Sequence, residues 1–136
     1  MNSIRKELSE YRFEKARRAL VVARSLAEQG YWADSANRSY YAIFHALRAV
    51  LALDAFDSQK HSGVISYFLE HYIKTKILGN ALSDYVRNAF LVRNKSDYED
   101  FYLVGKEDAE KQIEDAAAFI AAVEDHLQQR WAQIQE

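Results

Sequence analysis

One segment, residues 35–53 (SANRSYYAIFHALRAVLAL), most constrains what this chain can fold into. Its composition is that of a helix that is apolar nearly all round, and such a helix belongs in the middle of a domain. Yet the segment also carries polar and charged side chains, namely Asn37, Arg38, His45 and Arg48. An unpaired charge in a protein interior costs several kcal/mol. The helix therefore predicts either a structural polar network or one wall of a functional site.

The rest of the composition favours a helical bundle. The 136 residues, 49% of them hydrophobic, fit a single domain spanning 1–136 with enough apolar side chains to bury a core. The chain has no Pro and only four Gly, whereas sheet proteins need more turn residues than that. We therefore predict an all-α fold.

The spacing of apolar residues predicts five helices. They run from about 3 to 28, from 31 or 34 to 53, from 62 through VISYFLEHYIK, from 81 to 92, and from 106 to 133. Gly30 is expected to end the first helix, and Ser62 is expected to cap the start of the third. The last helix has an apolar residue at every seventh position, as a bundle helix requires.

Several classes of function find no support. Without Cys there is no disulfide framework, no thiolate nucleophile and no Cys-ligated metal. The four His are far apart in sequence, no Ser sits in a G-x-S-x-G turn, and the Gly residues are scattered singly rather than gathered in a phosphate-binding loop. No signal peptide and no run of about 18 apolar residues is present. We therefore expect a cytoplasmic protein with no membrane span, no metal and no cofactor.

Charge is distributed unevenly along the chain, although the net charge is only −2. Residues 1–50 carry nine Lys and Arg against five Asp and Glu, and residues 51–136 carry nine against fifteen. Two interpretations stay open. The two halves can attract one another within the fold, or the first half can present a basic surface to phosphates.

Residues 93–98 (RNKSDY) form the strongest local anomaly, because they come just as the apolar stripe of the fourth helix ends. Arg93 and Asp97 have the spacing of an intrahelical ion pair, worth only about 0.3–0.5 kcal/mol. Alternatively, Arg93 binds a phosphate, which its planar guanidinium suits. Tyr98 would then donate a proton or orient water.

Three residues of the apolar helix, Arg38, Tyr41 and His45, fall along one side of it. A charge in an apolar helix needs partners. We therefore expect these three side chains to lie on or beside the same cleft as Arg93 and to contact a nucleotide or RNA.

Three motifs in this order resemble the HEPN superfamily, and most closely its small single-domain bacterial and archaeal members. They are NRSYYAIFHALRAVL, then HSGV at 61–64, then RNKSDYEDFY, and a long Ala-rich helix follows. The resemblance covers about residues 10–128. It implies an up-down helical bundle that is usually a homodimer. In many HEPN proteins the bundle is a metal-independent endoribonuclease, often a toxin whose antitoxin is a minimal nucleotidyltransferase.

The resemblance also implies a site. In HEPN nucleases an Arg, the polar residue after it, and a His four to six residues beyond the Arg come from both protomers and meet at the dimer interface. Arg93 and Asn94 match the first two positions, so Arg93 is expected to bind the scissile phosphate and Asn94 to position it. Tyr98 occupies the position of the nearest His and is expected to assist.

The missing His leaves the activity open. Tyr, whose unperturbed pKa is near 10, is a poor base, and loss of a general acid or base costs about 10²–10⁴-fold in rate. The chain could be a weak nuclease or a nuclease that uses another His. Alternatively, it could be a noncatalytic nucleotide-binding or interaction module that partners a nucleotidyltransferase, or a purely structural adaptor.

Overall fold

The computed structural model describes residues 2–100 and 102–134 and contains five α-helices and no strand within them. In chain order the elements are α1 (Asn2–Glu28), α2 (Trp32–Leu53), α3 (His61–Phe68), a π-helical turn (Leu69–Ile73), α4 (Ala81–Tyr98) and α5 (Lys106–Gln133). The all-α prediction is confirmed. Over the same two ranges, no helix has an apolar stretch long enough to cross a bilayer.

The predicted apolar helix, α2, is the central element and packs against all four other helices. Its most extensive contact is with α1. Small residues of α2 allow this approach, since Ala46 and Ala49 are fully buried and add no bulk beyond a methyl group. The backbones come close enough for Ser9 Oγ on α1 to donate a hydrogen bond to the Ala49 carbonyl oxygen at 2.7 Å. The buried position of α2 follows directly from its composition.

The first helix ends at Glu28, and Gly30 follows it in the turn, as the sequence predicts. Gly30 adopts a φ of +84°, a left-handed conformation that an L side chain rarely tolerates. Its N–H donates to the Ala27 carbonyl at 3.0 Å, and the Tyr31 N–H donates to the Leu26 carbonyl at 2.9 Å. These two bonds satisfy carbonyls that the end of a helix leaves without intrahelical partners.

The fourth helix is longer than the sequence predicts, because it continues past residue 92 to Tyr98. Val92 does not mark the end of its apolar stripe. It packs against a small separate cluster of buried residues formed by Ala36, Val104 and Ala109. The RNKSDY segment is therefore the last two turns of α4 and not a connection after it.

The predicted start of the third helix is also wrong by one residue. Helix α3 begins at His61, and Lys60 occupies the position before it without a side-chain capping bond. The Lys60 carbonyl accepts a hydrogen bond from the Val64 N–H at 3.2 Å, so the first turn closes without Ser62 acting as a cap.

A polar cluster ties the end of α2 to the π-helical turn and to α5. The Tyr72 phenol donates a 2.5 Å hydrogen bond to Asp54 Oδ2 and accepts a 2.7 Å bond from Arg130 Nη1. Arg130 Nη2 also donates to Asp54 Oδ1 at 3.2 Å. Tyr72 is only 4% exposed, so these bonds satisfy a buried hydroxyl.

Candidate functional site

The end of α4 places Arg93 against the aromatic face of α2. The Arg93 guanidinium carbon lies 5.1 Å from the centre of the Tyr40 ring and 5.8 Å from that of Tyr41. Arg93 Nε is 3.5 Å from Asp97 Oδ2, which is the intrahelical ion pair that the spacing predicts. The side chain is 19% exposed. A cation held over two rings in a partly desolvated position is attracted by their negative faces, typically by about 0.5–1 kcal/mol or more each.

The Tyr40 ring connects Arg93 to an imidazole. The Tyr40 phenol oxygen lies 2.7 Å from His61 Nδ1, and the His61 ring stacks on Phe44 with their centres 4.0 Å apart. His61 is the first residue of α3. The connection between α2 and α3 therefore brings the chain back beside Tyr40 and Phe44 of α2. Gly63 allows the connection to lie close, since a Cβ at that position would meet Ser58 Oγ at 2.8 Å.

Both groups of this pair are neutral near pH 7. Burial raises the pKa of the Tyr40 phenol above its ordinary value of 10. Burial, together with the positive charges of Arg93 and Arg48, lowers the pKa of His61 below 6.5. The imidazole is therefore a free base at neutral pH. In the tautomer whose Nδ1–H donates to the Tyr40 oxygen, the nitrogen that faces away from Tyr40 accepts a proton.

The binding residues predicted on α2 lie next to this pair. The Arg38 guanidinium carbon is 4.9 Å from the centre of the Tyr41 ring. The centre of the His45 ring is 5.8 Å from the centre of the same Tyr41 ring. Because Arg93 contacts the same Tyr41 ring, the structure brings Arg38 and Arg93 together around one aromatic side chain. Burial and the cations around it lower the pKa of His45 to about 4.

Other basic residues near the site are already paired. Arg48 Nη2 lies 2.6 Å and Arg12 Nη2 lies 3.2 Å from the same carboxylate oxygen, Asp57 Oδ2. Arg48 was one of the unexplained charges of the apolar helix, and Asp57 explains it as part of a structural network. Arg38 pairs with no carboxylate among the described residues, which distinguishes it from Arg48.

The remaining predicted residues, Asn94 and Tyr98, lie apart from the Arg93–Tyr40–His61 group. Asn94 lines a cavity of about 460 Å³ between α3 and α4, whose walls include Ile65, Phe90 and Leu91. Tyr98 is 75% exposed at the last residue of α4. Among the described residues, neither side chain hydrogen-bonds to or stacks on the group around Arg93. Both are accessible to a bound molecule or to a second protomer.

His61 is the residue that the sequence did not single out for a role. It lies in one of the three motifs that carry the resemblance, but a lone His 21 positions after Tyr40 gives no local signal of contact. Only the path of the connection from α2 to α3 reveals it. In the part of the chain that the structure describes, no three His, Asp or Glu side chains gather in the way that would hold a metal ion.

Comparisons with known proteins agree with this architecture. The model of the HEPN domain family matches residues 9–126. A relative from Methanocaldococcus jannaschii named "Putative toxin MJ0142" is 29% identical over 114 residues, which cover 84% of this chain and 78% of the relative.

Two crystal structures share the fold. TT1696 from Thermus thermophilus superimposes with a TM-score of 0.74 at 18% identity, covering 86% of this chain and 96% of its own. ST0689, described as an archaeal HEPN homologue, gives a TM-score of 0.63 at 20% identity, covering 88% of this chain and 97% of its own.

The match to the family model extends over most of the chain, and the helical architecture is that of the solved HEPN homologue. The chain therefore belongs to the HEPN domain family, as the three motifs indicated.

Proposed function

We propose that this protein is an RNA-targeting HEPN protein in which Arg93 binds a phosphate and His61 serves as the general base. The observation that carries the proposal is the chain of contacts from Arg93 over Tyr40 to His61. It supplies, from another helix, the imidazole that the segment after Arg93 lacks. A guanidinium and a neutral imidazole within one aromatic cluster are suited to a phosphodiester, because one neutralises its charge and the other accepts a proton.

The RNA's own 2′-hydroxyl is the nucleophile in this proposal. His61, with Nδ1–H donating to the Tyr40 oxygen, accepts the 2′-hydroxyl proton at Nε2. The 2′-oxygen forms a bond to phosphorus, and the bond from phosphorus to the 5′-oxygen breaks. The departing 5′-oxygen takes a proton from water, which leaves a 2′,3′-cyclic phosphate and a 5′-hydroxyl. Arg93 stabilises the charge that develops on the nonbridging oxygens.

Two residues of the motif that reach the surface of α4 fit a homodimer. Asn94 and Tyr98 stand at the surface of α4, close enough in sequence to Arg93 that a second copy packed on this helix would complete a site shared by two protomers. In that arrangement Asn94 positions the phosphate and Tyr98 donates a hydrogen bond to the leaving group. Light scattering at micromolar concentration should report about twice the 15.8 kDa of one chain. A monomer mass would refute the site shared by two protomers, but it would leave the contacts of Arg93, Tyr40 and His61 within one protomer unaffected.

A toxin whose antitoxin is a nucleotidyltransferase is the biological role that this activity would serve. The name of the M. jannaschii relative supports the toxin part, and the shared family supports an RNA target. Expression in a bacterial host should then slow growth, and the Arg93→Ala variant should not.

Incubation of the purified protein with total RNA tests the activity directly. Arg93→Ala should lower cleavage by at least about 100-fold, and His61→Gln by about 10²–10⁴-fold. Arg5→Ala is the matched control, because Arg5 is an exposed arginine of α1 that lines neither the Asn94 cavity nor the surroundings of Arg38. Fragments should end in a cyclic phosphate, and a DNA strand of the same sequence should remain intact. Equal cleavage by Arg93→Ala and Arg5→Ala would refute the role of Arg93.

One observation favours a second function, a noncatalytic module that binds a nucleotide or RNA and partners a nucleotidyltransferase. Tyr98, and not His, stands at the end of α4, and its side chain is 75% exposed. Under this function the wild-type protein binds RNA with a dependence on Arg93 but cleaves none of it. Binding and cleavage measured on the same oligonucleotide separate the two functions.

A further inference from the structure

A second basic feature lies beside the proposed site, in a groove between α1 and α2 of about 280 Å³. Three cations line it: Lys15 and Arg18 from α1, and Arg38 from α2. Among residues 2–100 and 102–134, no carboxylate comes within ion-pair distance of any of the three. The groove has one acidic wall residue, Glu14. It therefore keeps a local excess of positive charge on a protein whose net charge is negative.

The remaining walls of the groove are aromatic and apolar. Tyr11 is 63% exposed at the edge, with the Lys15 ammonium 5.6 Å from its ring centre. Ala19 and Val22 supply apolar surface, and His45 faces the groove from α2. Unpaired cations combined with an exposed aromatic ring and apolar walls are the features by which proteins hold single nucleic-acid strands, because phosphates meet the cations while bases stack.

Arg38 belongs to both the groove and the surroundings of the proposed site. That side chain lines the groove and also contacts the Tyr41 ring that Arg93 contacts from the other helix. A strand whose scissile phosphate lies at Arg93 would therefore meet Arg38 next, followed by the cations of α1.

Resting on the proposed function, we infer that the α1–α2 groove binds the single-stranded RNA that flanks the scissile phosphate. Lys15, Arg18 and Arg38 contact the phosphates on either side of one nucleotide, and Tyr11 stacks on its base. The volume suits about one nucleotide and excludes a duplex, so the groove selects unpaired RNA. The site around Arg93 performs the chemistry, and the groove determines which strands reach it.

The test measures binding and not activity. Fluorescence anisotropy with a 2′-O-methylated oligouridylate of about ten nucleotides reports affinity without cleavage. The salt slope is the change in the logarithm of the binding constant with the logarithm of the salt concentration, and each phosphate contact on a single strand contributes about 0.7 to its magnitude. In the double variant Lys15→Gln, Arg18→Gln, we expect this magnitude to fall by about 1.4. Tyr11→Ala should weaken binding at least about fivefold.

Arg24→Gln is the control, because Arg24 is an exposed cation on the same helix and faces Glu28, Glu110 and Glu114 instead of the groove. It should leave the salt slope unchanged. A dinucleotide that reaches only the Arg93 site should bind the double variant as well as it binds the wild type.

The outcomes separate the groove from the proposed function. If the double variant binds the long strand with the wild-type salt slope while Arg93→Ala abolishes cleavage, the groove inference is wrong and the proposed function stands. If the salt slope falls as expected but Arg93→Ala cleaves natural RNA normally, the groove stands and the assignment of Arg93 is wrong. Equal affinity for a duplex and a single strand would overturn the selection of unpaired RNA.

Discussion

Two tyrosines that face the same carboxylate provide the sharpest test of the energetics. The phenol oxygens of Tyr72 and Tyr67 lie 2.5 Å and 3.4 Å from Asp54 Oδ2. Tyr72 is 4% exposed and also accepts a bond from Arg130, whereas Tyr67 is partly exposed. Tyr72→Phe and Tyr67→Phe each remove a hydroxyl group that donates to Asp54 Oδ2. The two hydroxyl groups differ in how deeply they are buried. The difference between them measures what burial and geometry contribute.

The expected magnitudes follow from the contacts. A hydrogen bond to a charged group contributes about 1.5–3 kcal/mol, and the Tyr72 hydroxyl makes two of them. Because Arg130 Nη2 and Asp54 Oδ1 keep their own contact at 3.2 Å, we expect a loss of about 2 kcal/mol from the free energy of unfolding and not the full sum. Tyr67→Phe should cost less than about 0.5 kcal/mol, since its bond is long and its hydroxyl reaches water.

Urea unfolding followed by circular dichroism measures both free energies, and a thermal scan should show a fall in Tm of about 8 °C for Tyr72→Phe. Burial and the Asp54 carboxylate raise the pKa of Tyr72 above its ordinary value of 10. The wild type should therefore lose stability above about pH 10, and the Tyr72→Phe variant should lose less. Equal costs for the two substitutions would refute the reasoning, because the polar cluster would then contribute nothing beyond removal of a hydroxyl.

Three further outcomes are expected. Ser9→Ala should lower the free energy of unfolding by about 1–3 kcal/mol in urea denaturation, because Ser9 Oγ donates to the Ala49 carbonyl and accepts from Trp131 Nε1 at 2.9 Å in a fully buried position. The kcat/KM of RNA cleavage should be constant around pH 7 and fall in acid with a midpoint below 6.5, because kcat/KM reports the free protein, in which the pKa of His61 is lowered and protonation removes the base. Tyr98→His should leave stability within about 0.5 kcal/mol and raise cleavage about 10²-fold by adding an acid for the leaving group, a gain that Arg93→Ala should remove.

The helices were predictable because each has an apolar stripe of the right period. The central position of α2 was predictable for a related reason, since no other segment is apolar nearly all round. The end of α4 was not, because Val92 packs into a small cluster with Val104 and Ala109, which follow it in the chain. Sequence periodicity describes one helix at a time. It does not show that a later segment will fold back and cover the next turn.

In the candidate site, too, contacts within one helix were predictable from the sequence, whereas contacts that depend on a later connection were not. Arg38 and Tyr41 share one side of α2, so their contact at 4.9 Å is a local consequence of helical spacing. The contact of Arg93 with Tyr41 needed only that α4 pack on α2. The contact of His61 with Tyr40 depends on the connection between α2 and α3, which includes Ala55 at a φ of +56°. A backbone conformation that unusual for a residue with a side chain has no signature in the residue types.

In the proposed mechanism, the contacts among Arg93, Tyr40 and His61 link phosphate binding to base strength. In the free protein, burial and the Arg93 charge keep His61 from being protonated, so the imidazole is available but weak as a base. A phosphate bound at Arg93 brings negative charge, which offsets that cation and favours the imidazolium form. The pKa of His61 should therefore rise towards neutrality when substrate is bound, which is when the proton of the 2′-hydroxyl has to be accepted. In this mechanism, Arg93 needs no His in the following turn of α4, because α3 delivers the His61 imidazole to the Tyr40 ring that Arg93 already contacts.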